Sequence, residues 1–223
     1  MERHVAVRLV HRRTGLYCSR VRVRDCVATP RHTSRRFGFS IRVDAVEIVA
    51  LLRTHVVKIP IQVEPSGGAA PAVEYRWDPD TEILSAQLKP RAAGKGLSGS
   101  VEVEGADGSW LILDVSAGCI NGVEIAVWPD VRKRNSLKPP GVIEDGHVTV
   151  PARKSQPGVA ALEVETPLIA EADETERVFH FTLGRPRATR TVRFARDLLL
   201  DLDGSNNLAG LWLLNVPPFP SPA

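Results

Sequence analysis

Strict two-residue alternation of apolar and polar side chains constrains this chain more than any other feature. "HVAVRLV" points Val5, Val7 and Leu9 one way, and "SRVRVRD" sets Val21 and Val23 against Arg20, Arg22 and Arg24. "RFGFSIRV" gathers Phe37, Phe39, Ile41 and Val43 on one face, and "VVKIPIQV" continues with Val57, Ile59, Ile61 and Val63. A helix would need apolar residues three and four apart, whereas a half-buried strand needs every second one. The expectation is a mainly β fold of antiparallel β-meanders with little helix. The one helical candidate early in the chain is "DAVEIVALLRTH", where Asp44 suits an N-cap. Its frequent Val and Ile make a strand pair a close competitor.

Breaks in the alternation divide the chain. "PSGGAAPA" (65–72) is a linker or long turn, and a second break runs from "KPPG" through "PARKSQPG" (138–158). "PPFPSPA" at the end cannot enter a sheet interior and reads as a loose tail. The expected units are a basic β-rich module at 1–64, β-meanders at 73–139 and 159–217, and a flexible tail at 218–223. The two meanders align. Leu84, Ala86 and Leu88 match Phe179, Phe181 and Leu183, and Val101 and Val103 match Val192 and Phe194. Leu113, Asp114 and Val115 match Leu200, Asp201 and Leu202. Ile120, Gly122, Val123 and Ile125 match Leu208, Gly210, Leu211 and Leu213. Such self-similarity predicts a diverged tandem duplication. An isolated hairpin or three-stranded meander is marginal alone, which gives a reason for the two to pack together.

The shared pattern is an acidic turn, two strands of alternating apolar residues, and a hairpin from Leu-Asp to Gly-Leu or Gly-Val. It resembles the short bacterial family catalogued as domain of unknown function 2283. "INGVEI" keeps nearly intact the Gly-Ile-Glu-Ile ending of that family, and "WPDVRKR" stands where it often has a short terminal helix. The resemblance covers residues 75–130 loosely and 171–214 more closely. It implies a compact antiparallel meander and brings no activity, cofactor or catalytic residue.

"DLLLDLDGSNNLAGLWLL" (197–214) has oxygen-bearing side chains at Asp201, Asp203, Ser205 and Asn207, the rhythm of a calcium loop. Asp201, Asp203 and Asn207 are therefore candidate metal ligands. Counted from Asp201, however, the required glycine and the bidentate glutamate are missing, since Asn206 and Trp212 stand there. A polar hairpin tip accounts for the stretch better, with Asp201 bonded to backbone amides of the turn. The six histidines lack metal-ligand spacing, and His180, between Phe179 and Phe181, is expected to be exposed. Cys18, Cys26 and Cys119 are odd in number and widely spaced, so they read as small buried hydrophobes. "AAGKGLSGS" (92–100) lacks the spacing of a phosphate loop, and the acids of "DPDTE" and "ADETE" read as solvated turns. No cofactor is expected.

Charge is uneven: residues 1–58 carry a net +9, residues 59–130 a net −7 and the remainder +1. Arg20, Arg22 and Arg24 share a strand face, and Arg31, Arg35 and Arg36 follow in a loop. These six are the candidate nucleic-acid contacts. Arg185, Arg187, Arg190 and Arg193 form a second run, expected to be a solvated face or a contact to acidic surface. Aromatic residues are only 5% of the chain, which disfavours base stacking. No signal-peptide core and no run of roughly 18 apolar residues occurs, so a cytoplasmic protein without membrane association is expected. Arg-borne charge with abundant Ala, Val, Pro and Gly suggests a GC-rich bacterial genome. The leading expectation is a non-catalytic interaction or structural protein that self-associates or binds a protein partner. The alternative is nucleic-acid binding through the basic N-terminal face. An enzyme whose site is invisible in sequence ranks last.

Overall fold

The computed structural model describes residues 58–88, 98–152 and 162–220. The N-terminal strands, the helical candidate at 44–55 and the two basic clusters from Arg20 to Arg36 lie outside the described residues. The described chain is all β, and among the described residues there is no helix.

Among the described residues fourteen strands form. They are β1 (Gln62–Pro65), β2 (Val73–Trp77), β3 (Leu84–Leu88), β4 (Gly99–Glu104), β5 (Trp110–Ser116), β6 (Cys119–Val127) and β7 (Val131–Lys133). They continue with β8 (Ile143–Thr149), β9 (Leu162–Glu165), β10 (Leu168–Ala172), β11 (Phe179–Leu183), β12 (Thr189–Ala195), β13 (Leu198–Asp203) and β14 (Leu208–Leu213). Two five-stranded antiparallel arrays have the same order: β2-β3-β6-β5-β4 and β10-β11-β14-β13-β12. Their registers correspond as well. Leu84 and Ala86 face Ile125 and Val123, while Phe179 and Phe181 face Leu213 and Leu211. Asp114 lies opposite Gly122 and Asp201 opposite Gly210, with a register shift directly after each aspartate.

The sheet is mixed, adding parallel pairs to the expected antiparallel meanders. β9 runs parallel to β4, β8 parallel to β12, and β7 parallel to β10. Each parallel strand arrives by a connection too long for a hairpin, which is the condition for parallel pairing. The break expected at 138–158 thus contains a strand, β8, which also pairs with β1 and touches β6. Its first half, half-buried Ile143 followed by exposed Glu144 and Asp145, carries no apolar alternation to betray it.

Buried apolar residues from both arrays form one connected cluster, including Val101, Leu111, Leu113, Phe181, Leu200 and Leu211. Ile59 and Ile61, from the stretch assigned to the N-terminal module, are 2% exposed in that same cluster. Further bonds tie the arrays: the Tyr75 hydroxyl donates to the Asp197 carbonyl at 3.2 Å, and the Arg196 amide to the Pro71 carbonyl at 2.9 Å. Each fully buried Leu or Phe contributes about 1.5–3 kcal/mol, so the shared cluster dominates the stability.

The turns follow from local chemistry. Asp203 accepts the Ser205 and Asn207 amides, both at 2.9 Å, and Asn206 takes φ 58°. β5 and β6 join through Ala117 (φ 52°) and Gly118 (φ 81°), a tight turn with both central residues left-handed. Alanine is a poor choice there, because the left-handed region costs a non-glycine residue about 1 kcal/mol and asparagine less. Ala117→Asn is therefore expected to raise the urea midpoint of unfolding without changing its slope.

Candidate functional site

An aromatic groove opens where the ends of the two arrays meet. Trp77 closes β2, Trp128 follows β6, Phe179 opens β11, and Pro217 and Phe219 follow β14. The indoles of Trp77 and Trp128 stack with centroids 5.6 Å apart and planes 22° from parallel. Phe219 meets Trp77 edge-on at 5.1 Å, and Phe179 lies 5.1 Å from Trp128. Both indole N–H groups are used internally. Trp77 Nε1 donates to the Pro217 carbonyl and Trp128 Nε1 to the Glu82 carbonyl, each at 2.9 Å. The two indoles are thereby fixed and their donors consumed. The cavity measures about 240 Å³ and is completed by Val131, Glu82 and Glu176. Phe219 belongs to the stretch read as a loose tail, yet it is anchored against Trp77.

The second feature is a polar cluster on Asp201, in the middle of β13. Thr191 Oγ1 donates to Oδ1 at 2.6 Å, and Trp212 Nε1 donates to Oδ2 at 3.0 Å. His180 Nε2 lies 2.9 Å from Oδ2. Burial pushes the Asp201 carboxyl up. The bonds from His180 and Thr191, the His180 charge and the Trp212 indole outweigh burial and hold it below its ordinary value. The carboxylate is thus an acceptor, and His180 Nε2 carries the hydrogen. The His180 and Trp212 rings stack at 4.0 Å. Gly210 makes the contact possible, because a Cβ there would sit 2.8 Å from the Phe181 carbonyl, 3.0 Å from Asp201 Oδ2 and 3.1 Å from His180 Nε2.

Two sequence expectations are corrected here. The partners of Asp201 are side chains from β11, β12 and β14, and the turn amides go to Asp203, because Asp201 sits inside the ladder opposite Gly210. His180 is not exposed: its side chain is 17% accessible, held beneath its bond to Asp201 and its stack on Trp212. The calcium-loop residues do not converge. Asp203 bonds the turn, the Asn207 side chain and Arg187, and among the described residues no group of three His, Cys, Asp or Glu is placed to hold a metal ion. At Asp114, the counterpart of Asp201, Ser85 and Glu124 hold the positions of His180 and Trp212, so the histidine and indole donors are missing there.

Other expected features are placed as follows. Cys119 is partly exposed, with its sulfur 3.5 Å from His147 Nε2 beside a cavity of only about 20 Å³. Arg187, Arg190 and Arg193 bridge Asp203, Glu144 and Asp145, so the second basic run is largely neutralised by this chain's own acids. Asp78 and Asp173 hold their turns through backbone amides. Glu102, Glu104, Glu163 and Glu165 crowd around the exposed Trp110. The groove itself went unread in the sequence, because its rings are far apart along the chain. One signal was there: "RWDPD" and "VWPD" each place a Trp at a strand end before Pro and Asp.

Two outcomes follow. Gly210→Ala is expected to cost about 2 kcal/mol, since the added methyl meets backbone on one side and the His180–Asp201 bond on the other. For the carboxylate, a folded pKa below the unfolded value of about 3.9 gives stability that is full above that pH and lost as pH falls through the folded pKa. Asp201→Asn should therefore lower the urea midpoint at pH 7 and narrow the gap between the midpoints at pH 7 and pH 3.

No protein-family model matches the chain and no curated protein matches it, so the family resemblance rests on the quoted residues alone.

Proposed function

We propose that the protein is a non-catalytic interaction protein that engages a protein partner through the aromatic groove. The observation that supports this reading is the set of four packed rings around an open cavity, two of them anchored by indole hydrogen bonds, with Val131 and Phe219 36% and 41% exposed at its edge. Anchored, partly exposed aromatic rings are the usual energetic centres of binding surfaces, because they bring large contact area at little entropy cost. The Asp201 cluster suits a structural role, since its carboxylate is saturated with donors within the sheet.

Nucleic-acid binding remains the alternative proposal and rests on Arg20, Arg22, Arg24, Arg31, Arg35 and Arg36. The described basic run lends it little, because those arginines are paired with acids.

The two readings separate in a co-purification from the source cells with the wild-type chain and Phe219→Ser. Phe219 contributes to the groove from the chain end and not to the core cluster. The interaction reading expects a partner that survives nuclease treatment and is lost with Phe219→Ser. Capture that is equal for both chains, or abolished by nuclease, would contradict it.

A further inference from the structure

We infer that the groove takes the side chain of an arginine presented by a basic segment of a protein partner. This deepens the interaction reading above and rests on it.

The polar side chains lining the cavity offer no uncommitted hydrogen-bond donor. Both indole N–H groups are committed to carbonyls, Pro217 has no amide hydrogen, and Glu82 and Glu176 contribute carboxylates. A ligand that needs donors from its site, such as a carbonyl-rich polyproline segment, finds none among these side chains. A cation carrying its own donors finds aromatic walls and two glutamates among the lining residues. The cavity of about 240 Å³ is smaller than the roughly 300–1,000 Å³ of sites for drug-sized molecules, and suits one inserted side chain. Arginine fits better than lysine. Its guanidinium is flat, weakly hydrated and able to stack on an indole while bonding a carboxylate in its plane.

The two glutamates add an independent argument. Glu82 and Glu176 both have φ in the left-handed region, 58° and 53°, in the turns that join β2 to β3 and β10 to β11. Glycine or asparagine would relieve about 1 kcal/mol at each position. The left-handed backbone of Glu82 aims its carbonyl at Trp128, but that needs no carboxylate. Both turns nonetheless place an acid there, and both acids line the same groove. Glu176 is shared with Lys133 at 2.9 Å, which leaves Glu82 as the main free acceptor. Strain retained at a surface turn points to use of the side chain.

The test titrates the full-length chain with three short peptides that are identical except for a central arginine, lysine or citrulline. Tryptophan fluorescence reports occupancy. Citrulline keeps the shape and removes the charge. The arginine peptide should bind about tenfold more tightly than the citrulline peptide, with lysine between them. Glu82→Asn should raise the thermal midpoint while weakening the arginine peptide about tenfold. A misfolded variant cannot give that combination. Equal binding of arginine and citrulline peptides, or undiminished binding by Glu82→Asn, would overturn the inference. A partner lost with Phe219→Ser but not displaced by the arginine peptide would sink the arginine assignment and leave the interaction reading standing. Absence of any groove-dependent partner would sink the interaction reading, and with it the inference that rests on it.

Discussion

Each five-stranded array has an apolar face that it cannot bury alone. A sheet with one oily side gains most of its stability when that side meets another apolar surface. Here the two faces supply one connected core, reaching from Ile59 to Val216. Everything else in the described structure depends on that shared burial. Strands that leave one array run beside the other: β7 follows β6 yet pairs with β10, and β9 precedes β10 yet pairs with β4. The groove is a product of the same packing, because Trp77, Glu82 and Trp128 come from one array and its turns, and Glu176 and Phe179 from the other. Separate the arrays and the rings have no common cavity.

The Asp201 cluster operates on the same logic at smaller scale. A carboxylate buried in a strand is costly unless donors compensate for the lost water. Three neighbouring strands provide them through His180, Thr191 and Trp212. Gly210 leaves room for the arrangement, since a Cβ there would crowd the Phe181 carbonyl at 2.8 Å and press on the bonded histidine and aspartate atoms. The corresponding glycine in the other array, Gly122, also lies against an aspartate, with Gln87 beside it in place of the histidine. One geometry thus carries two different polar sets.

The all-β character was legible because alternation acts locally. Leu84, Ala86, Val101, Val103, Leu111 and Leu113 are all buried as their period implies. The turn at 203–207 was legible for the same reason, since Asp and Asn act on the backbone a few residues away. What was lost was long-range. Nothing near Asp201 announces His180, twenty-one residues earlier, because the pairing of β11 with β14 brings it there. β8 escaped notice because half of it is polar, and parallel neighbours leave no hairpin signature. The groove escaped because its rings converge only after both arrays have packed. Phe219 looked like part of a proline-rich tail, and only its contact with Trp77 gives it a role.

The central claim is that the two arrays are one folding unit, and native-state amide hydrogen exchange measures it most directly. Leu113 and Leu200 occupy equivalent interior strands, β5 and β13, and both are fully buried. The amides of these two strands should exchange with the same opening free energy, equal to that of global unfolding. If the amides of one array exchanged through a state in which the other stayed protected, the shared core would not be what holds the molecule together. The groove built on it would then need another explanation.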